Sequence, residues 1–179
     1  LDDAYYQRNP LFPYISDEGE QATKIKLEKK VWVVLGNPPY SNYSKNKRPF
    51  IQSLINDYKK GLQEAKINID DDYIKFIRFA QAKIEGAKYS YKKGNSSVTG
   101  KIESEGQGIV GVITNNSYLS GITHRQMRKS LFETFDKIYI LNLHGNSIIG
   151  EGDKNVFDIT VGVAIALLIK TPKPLKEKE

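Results

Sequence analysis

Asn37, Pro38, Pro39 and Tyr40 follow one another directly after the apolar run Val31-Trp32-Val33-Val34-Leu35 and Gly36. The Asn37 carboxamide oxygen and the backbone carbonyl of Pro38 are both hydrogen-bond acceptors. Two fixed acceptors suit one chemical problem. An exocyclic aromatic amine is a poor nucleophile because its lone pair is delocalised into the ring. Holding both amino hydrogens directs that lone pair at an electrophile and stabilises the positive charge that develops on nitrogen. Tyr40 adds a ring on which a planar base drawn out of a duplex can stack. The prolines restrict the backbone and hold Asn37 extended, so the groups are placed before a substrate arrives. Such a transfer needs no side-chain base, since the proton can leave to solvent. His144 has no arrangement of Asp, Glu or Ser near it in sequence that marks it as one.

Positioning these groups requires a strand and a sheet edge. Residues 31–35 are apolar without alternation, the pattern of a strand buried on both faces, as in the middle of a parallel sheet. The tetrapeptide then lies at the carboxyl end, the edge where open α/β sheets bind ligands. Phe50, Ile51, Leu54, Ile55 and Tyr58 recur at helical spacing. So do Tyr73, Ile74, Phe76, Ile77 and Ala80, behind an acidic cluster that suits a helix amino terminus. Residues 109–114 form a second buried strand, and Asn115, Asn116 and Tyr118 stand immediately after it. Two adjacent carboxamides are costly to bury unpaired, which favours the rim of a site, while turn formation accounts for them equally well.

Thr123 can cap a helix running to about Phe135, and residues 137–143 and 160–170 complete the strands. The loop between the last two is too short for a helical crossover, so they are expected to run antiparallel. The alternation of strands and helices defines an α/β domain over residues 31–170. Residues 88–108, rich in Ser, Gly and Lys, read as an exposed insertion, residues 1–30 as a lead-in or linker, and residues 171–179 as a charged tail. A domain whose first strong strand already carries the ligand looks truncated.

With 39% apolar residues and 14 glycines the composition is that of a folding chain. The absence of cysteine excludes disulfides and thiolate chemistry, and two histidines are too few for a histidine-built metal centre. No apolar run is long enough to span a bilayer, and the expectation is a soluble, cytoplasmic chain without a membrane partner. The formal charge of +6 permits a polyanionic partner such as nucleic acid. Lys45, Lys47, Arg48, His124, Arg125, Arg128 and Lys129 are the basic residues that could meet backbone phosphates, or simply solvate the surface.

The tetrapeptide after Val33-Val34-Leu35-Gly36 resembles the signature of adenine-specific, amino-group DNA methyltransferases, which carry Asn/Asp-Pro-Pro-Tyr/Phe after the fourth strand of a doubly wound sheet. DDDYIKFIRFAQ, GIVGVITNNSYLSG, THRQMRKSL, FDKIYILNLHGN and NVFDITVGVAIALL resemble later segments of large type I-like single-polypeptide restriction-modification enzymes. The resemblance implies the second half of a Rossmann-like, S-adenosylmethionine-dependent methyltransferase sheet, with its last strand antiparallel. Asn37 and Pro38 would hold the target amino group, and Tyr40 would stack on a flipped adenine. Phe157 would be a second wall of the base pocket, or equally a hydrophobic anchor at the base of the last strand, and Tyr73 and Phe76 the side of the methyl-donor pocket, although their helical spacing favours the core.

Implied partners are double-stranded DNA, the upstream half of the domain, and nuclease, helicase and target-recognition domains of one polypeptide. The glycine-rich donor loop and the acidic residue that would hold the donor ribose are missing. The piece alone is therefore expected to be inactive. Rival readings are a nucleic-acid-binding or specificity module without chemistry, a structural fragment whose tetrapeptide merely ends a strand, and an amino-group methyltransferase acting on protein glutamine.

Overall fold

The computed structural model describes residues 13–40, 44–64, 69–146 and 155–172. Four strands form the main sheet. β1 (Val33–Gly36) pairs in parallel with β4 (Gly108–Asn115), and β6 (Val163–Lys170) lies antiparallel to both β4 and β5 (Lys137–His144). The order is β1-β4-β6-β5, so three strands run one way and the last returns between two of them. The expected antiparallel pairing of the last two strands is present, with Ile140 opposite Ala166. The carboxyl ends of β1, β4 and β5 and the amino end of β6 therefore share one edge.

Helices cover one face of this sheet. Val110, Val112, Ala166 and Leu168 point into the core, where they meet the apolar sides of α2 (Pro49–Lys59), α3 (Asp72–Glu85) and α4 (Arg125–Thr134). Phe50, Ile51, Ile55, Ile74 and Tyr58 are wholly buried, each such side chain contributing about 1.5–3 kcal/mol relative to exposure. A polar network links the three helices. Tyr58 donates to Gln81 Oε1 (2.7 Å), and Gln81 Nε2 donates to Thr134 Oγ1 (2.7 Å) and Ser130 Oγ (3.0 Å). Arg78 bonds Asp57 (2.8 Å), Glu85 (3.2 Å) and the Leu54 carbonyl (3.1 Å). Groups so deeply buried are costly when left unpaired, and this network pairs them.

α1 (Pro13–Leu27) lies within the stretch 1–30 read from the sequence as a lead-in or linker. Lys83 holds its carboxyl end, donating to the carbonyls of Ile25, Lys26 and Lys29, and burial lowers the pKa of that ammonium. Residues 1–12 of the predicted lead-in and 173–179 of the tail lie outside the described residues. Thr171 is tied down by bonds from its backbone N–H and hydroxyl to Asp136 Oδ2, both 2.8 Å.

Two sequence expectations are corrected. Among the described residues β1 is an edge strand and not a central one buried on both faces, with Val33 53% and Leu35 74% exposed. The apolar run records a need for burial without saying which partner meets it. Val33 and Leu35 share their sheet face with Leu167, Tyr139 and Leu141, all exposed, and among the described residues no helix covers that face. The exposed insertion, read from the sequence without strands, has regular structure. It is an antiparallel hairpin of β2 (Ala87–Lys93) and β3 (Ser96–Ile102), anchored by buried Tyr89 and Ile102.

Candidate functional site

Asn37 lies exposed at the carboxyl end of β1, with Pro38 buried beneath it and Tyr40 half-buried beside it. The Tyr40 hydroxyl shares its hydrogen between Asn37 Oδ1 (2.8 Å) and the Ile113 carbonyl of β4 (3.3 Å), and burial raises its pKa. A carboxamide oxygen has two acceptor directions, so Tyr40 steadies Asn37 and leaves one direction for an incoming donor. A cleft of about 280 Å³ opens alongside, lined by Val34, Gly36, Asn37, Pro38 and Pro39 and faced by Phe76 and Ala80 of α3. Phe76 is 38% exposed, an apolar ring presented to this opening.

The chain beyond Tyr40 is pinned from α3. Lys75, fully buried, donates to Ser44 Oγ (2.8 Å) and the Asn46 carbonyl (2.7 Å) and pairs with Asp70 (2.7 Å). Ser44 in turn donates to Asp72. Sequence reasoning passed over Lys75. Its only signal was a lysine on the apolar side of a helix, one residue from Ile74 and two from Ile77.

At the ends of β4 and β5 the polar residues build turns. Asn115 Oδ1 accepts from the Ser117 amide (2.8 Å) and hydroxyl (2.6 Å). Asn116 gives its amide to the Gly162 carbonyl (2.9 Å) and its side chain to Asn142 Oδ1 (2.9 Å). Of the two roles open from sequence, turn formation is the one these bonds serve. Asn155, given no role of its own in the sequence reading, ties its loop down: Nδ2 donates to the carbonyls of Gly145 (2.8 Å) and Val161 (2.7 Å), and Oδ1 accepts the Phe157 amide (2.9 Å). Phe157 is 40% exposed in that loop, just before β6 and hence on the sheet edge that carries Asn37.

Other expected positions move. Tyr118 is not on a rim: it is buried, its ring 6.1 Å from that of Tyr73, and it lines an apolar groove with Leu131 and Leu168. Tyr73 is equally buried, its hydroxyl 3.2 Å from Ser117 Oγ, and the cleft beside Asn37 is walled by Phe76 and not by Tyr73. Tyr118 reads as a rim residue because it follows a strand end, and Tyr73 takes the core position that its helical spacing allows. Two of the predicted phosphate contacts are internal. Arg125 pairs with Glu64, and Arg128 donates to the carbonyls of Tyr118 and Gly121, both at 2.8 Å. His124 is buried. Lys45, Lys47 and Arg48 are exposed in the loop before α2, and Lys129 is exposed beside Glu133 at 3.8 Å. Among the described residues there is no cluster of metal-ligating side chains, and no helix is long and apolar enough to cross a membrane.

The class defined by fold and site is an α/β domain with a mixed sheet that presents a fixed carboxamide and an aromatic ring at a strand's carboxyl edge. Solved structures similar to the chain include restriction-modification enzymes. The chain is 28% identical, with a TM-score of 0.68, to an ATP-dependent Type ISP restriction-modification enzyme, LlaBIII, bound to DNA, over 93% of this chain and 11% of that one. Against DrdV in a DNA complex the identity is 27% and the TM-score 0.65, over 89% of this chain and 15% of that one. A nuclease-deletion mutant of the Type ISP enzyme LlaGI with a DNA substrate mimic shares the fold at 21% identity and a TM-score of 0.67, over 92% of this chain and 15% of that one. The chain thus corresponds to a small part of each, and the similarity supports a domain of a restriction-modification enzyme. No family model matches the chain, and no curated protein does.

Proposed function

We propose that this chain is the base-binding half of a DNA adenine N6 methyltransferase domain within a restriction-modification enzyme. The observation that carries the reading is the state of Asn37. Its carboxamide is exposed at the carboxyl end of β1, held by Tyr40 and bordered by a cleft, where a strand-ending turn would bury and consume it. The insertion of β6 between β4 and β5 and the likeness to DNA-bound Type ISP enzymes support the same reading.

In this mechanism Asn37 Oδ1 and the Pro38 carbonyl accept the two hydrogens of the adenine amino group. The nitrogen lone pair is turned out of the ring plane, and the charge that develops during transfer is stabilised by acceptors that need no reorganisation. Tyr40 stacks on the flipped base, and Phe157 supplies a second wall from the loop before β6. S-adenosylmethionine would supply the methyl group. The cleft along Gly36–Pro39 with Phe76 fits one apolar side of that donor but contains no carboxylate for its ribose, so this chain holds part of the donor site at most. The open edge of β1 and the uncovered face bearing Leu35, Leu167 and Tyr139 suit an upstream half of the same domain, which would complete both sheet and site.

The test is methyl transfer to duplex DNA by a longer polypeptide that carries this segment. Asn37→Ala removes one of two acceptors of developing charge, and loss of one such group costs on the order of 10²–10³ in rate. Equal rates for wild type and variant would refute the reading.

A further inference from the structure

The hairpin plays no part in the chemistry above, yet it carries most of the chain's charge imbalance. Four of the chain's 27 basic side chains, Lys88, Lys92, Lys93 and Lys101, and none of its 21 carboxylates, lie within residues 87–102. That segment alone supplies four of the six net positive charges.

The register sorts these residues by face. Lys88 is opposite Lys101, Ser90 opposite Thr99, and Lys92 opposite Ser97, and all six are exposed. The other face holds Tyr89, Tyr91, Val98 and Ile102. It packs on α2, where the Tyr89 ring meets Phe50 edge-on at 5.1 Å. Gly94, with φ +59°, opens the two-residue turn. The outward face is therefore a ribbon of three ammonium groups and three hydroxyls. Like charges directly opposite on a two-stranded ribbon destabilise it. Among the described residues only Lys101 of the three is relieved, by Glu103 at 3.2 Å, and a solvating surface would be served as well by mixed signs.

We infer that this ribbon face is a docking surface for the phosphodiester backbone of duplex DNA. The inference rests on the proposed function. Charge complementarity selects the occupant: lysines give the attraction, and serine and threonine hydroxyls donate to phosphate oxygens without reading sequence. Four residues along a strand span roughly 13 Å, so Lys88 and Lys92 reach phosphates about four apart on one strand's axial rise. Phe50, the anchor of the hairpin, stands in the first turn of α2, two residues beyond Arg48. The hairpin supplies what Arg125 and Arg128, engaged internally, do not.

The experiment measures binding of the chain to a fluorescent 30-base-pair duplex between 50 and 200 mM salt. The wild type is compared with a chain carrying Lys88→Gln, Lys92→Gln and Lys101→Gln, and with one carrying arginine at the same three positions. Each phosphate contact adds about 0.9 to the slope of log affinity against log salt. The wild type should lose about 40-fold more affinity across this range than the glutamine chain, and the arginine chain should keep the wild-type slope. Equal slopes for wild type and glutamine chain, or no duplex binding by the wild type at 50 mM, would overturn the inference. The Asn37→Ala rate test reads the chemistry separately, so either idea can fail without the other.

Discussion

Lys75→Met removes the group that fixes the chain beyond Tyr40 while keeping the length of the side chain. Lys75 is inaccessible to solvent and makes three polar contacts, to Ser44 Oγ, the Asn46 carbonyl and Asp70. Breaking a buried ion pair costs about 3–5 kcal/mol when the partner charge is stranded. Asp70 is 40% exposed and can rehydrate, and Ser44 keeps its bond to Asp72, so the expected loss is about 2–3 kcal/mol. For a chain of this length that lowers Tm by roughly 5–10 °C.

The loss also has a pH signature. Burial raises the Asp70 carboxyl, but hydrogen bonds from Lys75 and Gln52 outweigh it and hold the group below its ordinary value. A carboxylate whose folded pKa is depressed stabilises the fold above its unfolded pKa, about 3.9, and loses that contribution as pH falls through the folded value. Wild type and variant should therefore differ fully at pH 7, and the gap should narrow below about pH 4. Urea melts at pH 7, 5 and 3 check both statements. A gap under about 0.5 kcal/mol at pH 7, or one that does not change with pH, would refute the reasoning.

Two further substitutions probe the elements that frame the site. Gly108 adopts φ +146°, and a Cβ there would meet the Trp32 carbonyl at 2.4 Å, the same oxygen that accepts the Ile109 amide (2.7 Å) and starts the pairing of β1 with β4. Gly108→Ala should destabilise by about 2–3 kcal/mol in urea melts, from backbone strain and displacement of the carrier strand. Asn155→Ala removes three bonds that shape the loop bearing Phe157, and should cost about 1–3 kcal/mol of local stability. Hydrogen exchange should quicken at residues 155–162, while the amides of β6 keep wild-type protection.

The strands and helices that carry the site were legible because each writes its own period into the sequence. The apolar run before Asn37, the helical spacing of Phe50 to Tyr58 and the run of residues 109–114 all became elements of the expected type. What escaped depends on contacts between distant residues. Nothing local to β6 says that it inserts between β4 and β5, and nothing local to Val31–Leu35 distinguishes an edge strand from a central one. Arg128 reads as a surface charge until the carbonyls of Tyr118 and Gly121 fold beneath it. The hairpin was within reach. AKYSYKK and SSVTGKI alternate around Gly94-Asn95, a two-residue turn signal, but the weight of lysine and serine obscured the period of two.

β1 joins the two halves of the argument. Parallel strands are ordinarily covered on both faces, and an exposed apolar patch of this kind marks an interface. Here Leu35 lies bare and also borders the cleft at Asn37, with Val34 and Gly36 beside it in the wall. On the proposed reading, burying the first surface and completing the second are one event, because both belong to the same four residues. Anything that seats an upstream half on Leu35 and Val33 also fixes the ends of Asn37 and Pro38, and a donor that binds the completed cleft stabilises that seating in return. The tetrapeptide is rigid through its prolines and the Tyr40 bond even while the sheet around it is open. That order is the efficient one: acceptors fixed in advance lose nothing when the rest of the site closes upon them.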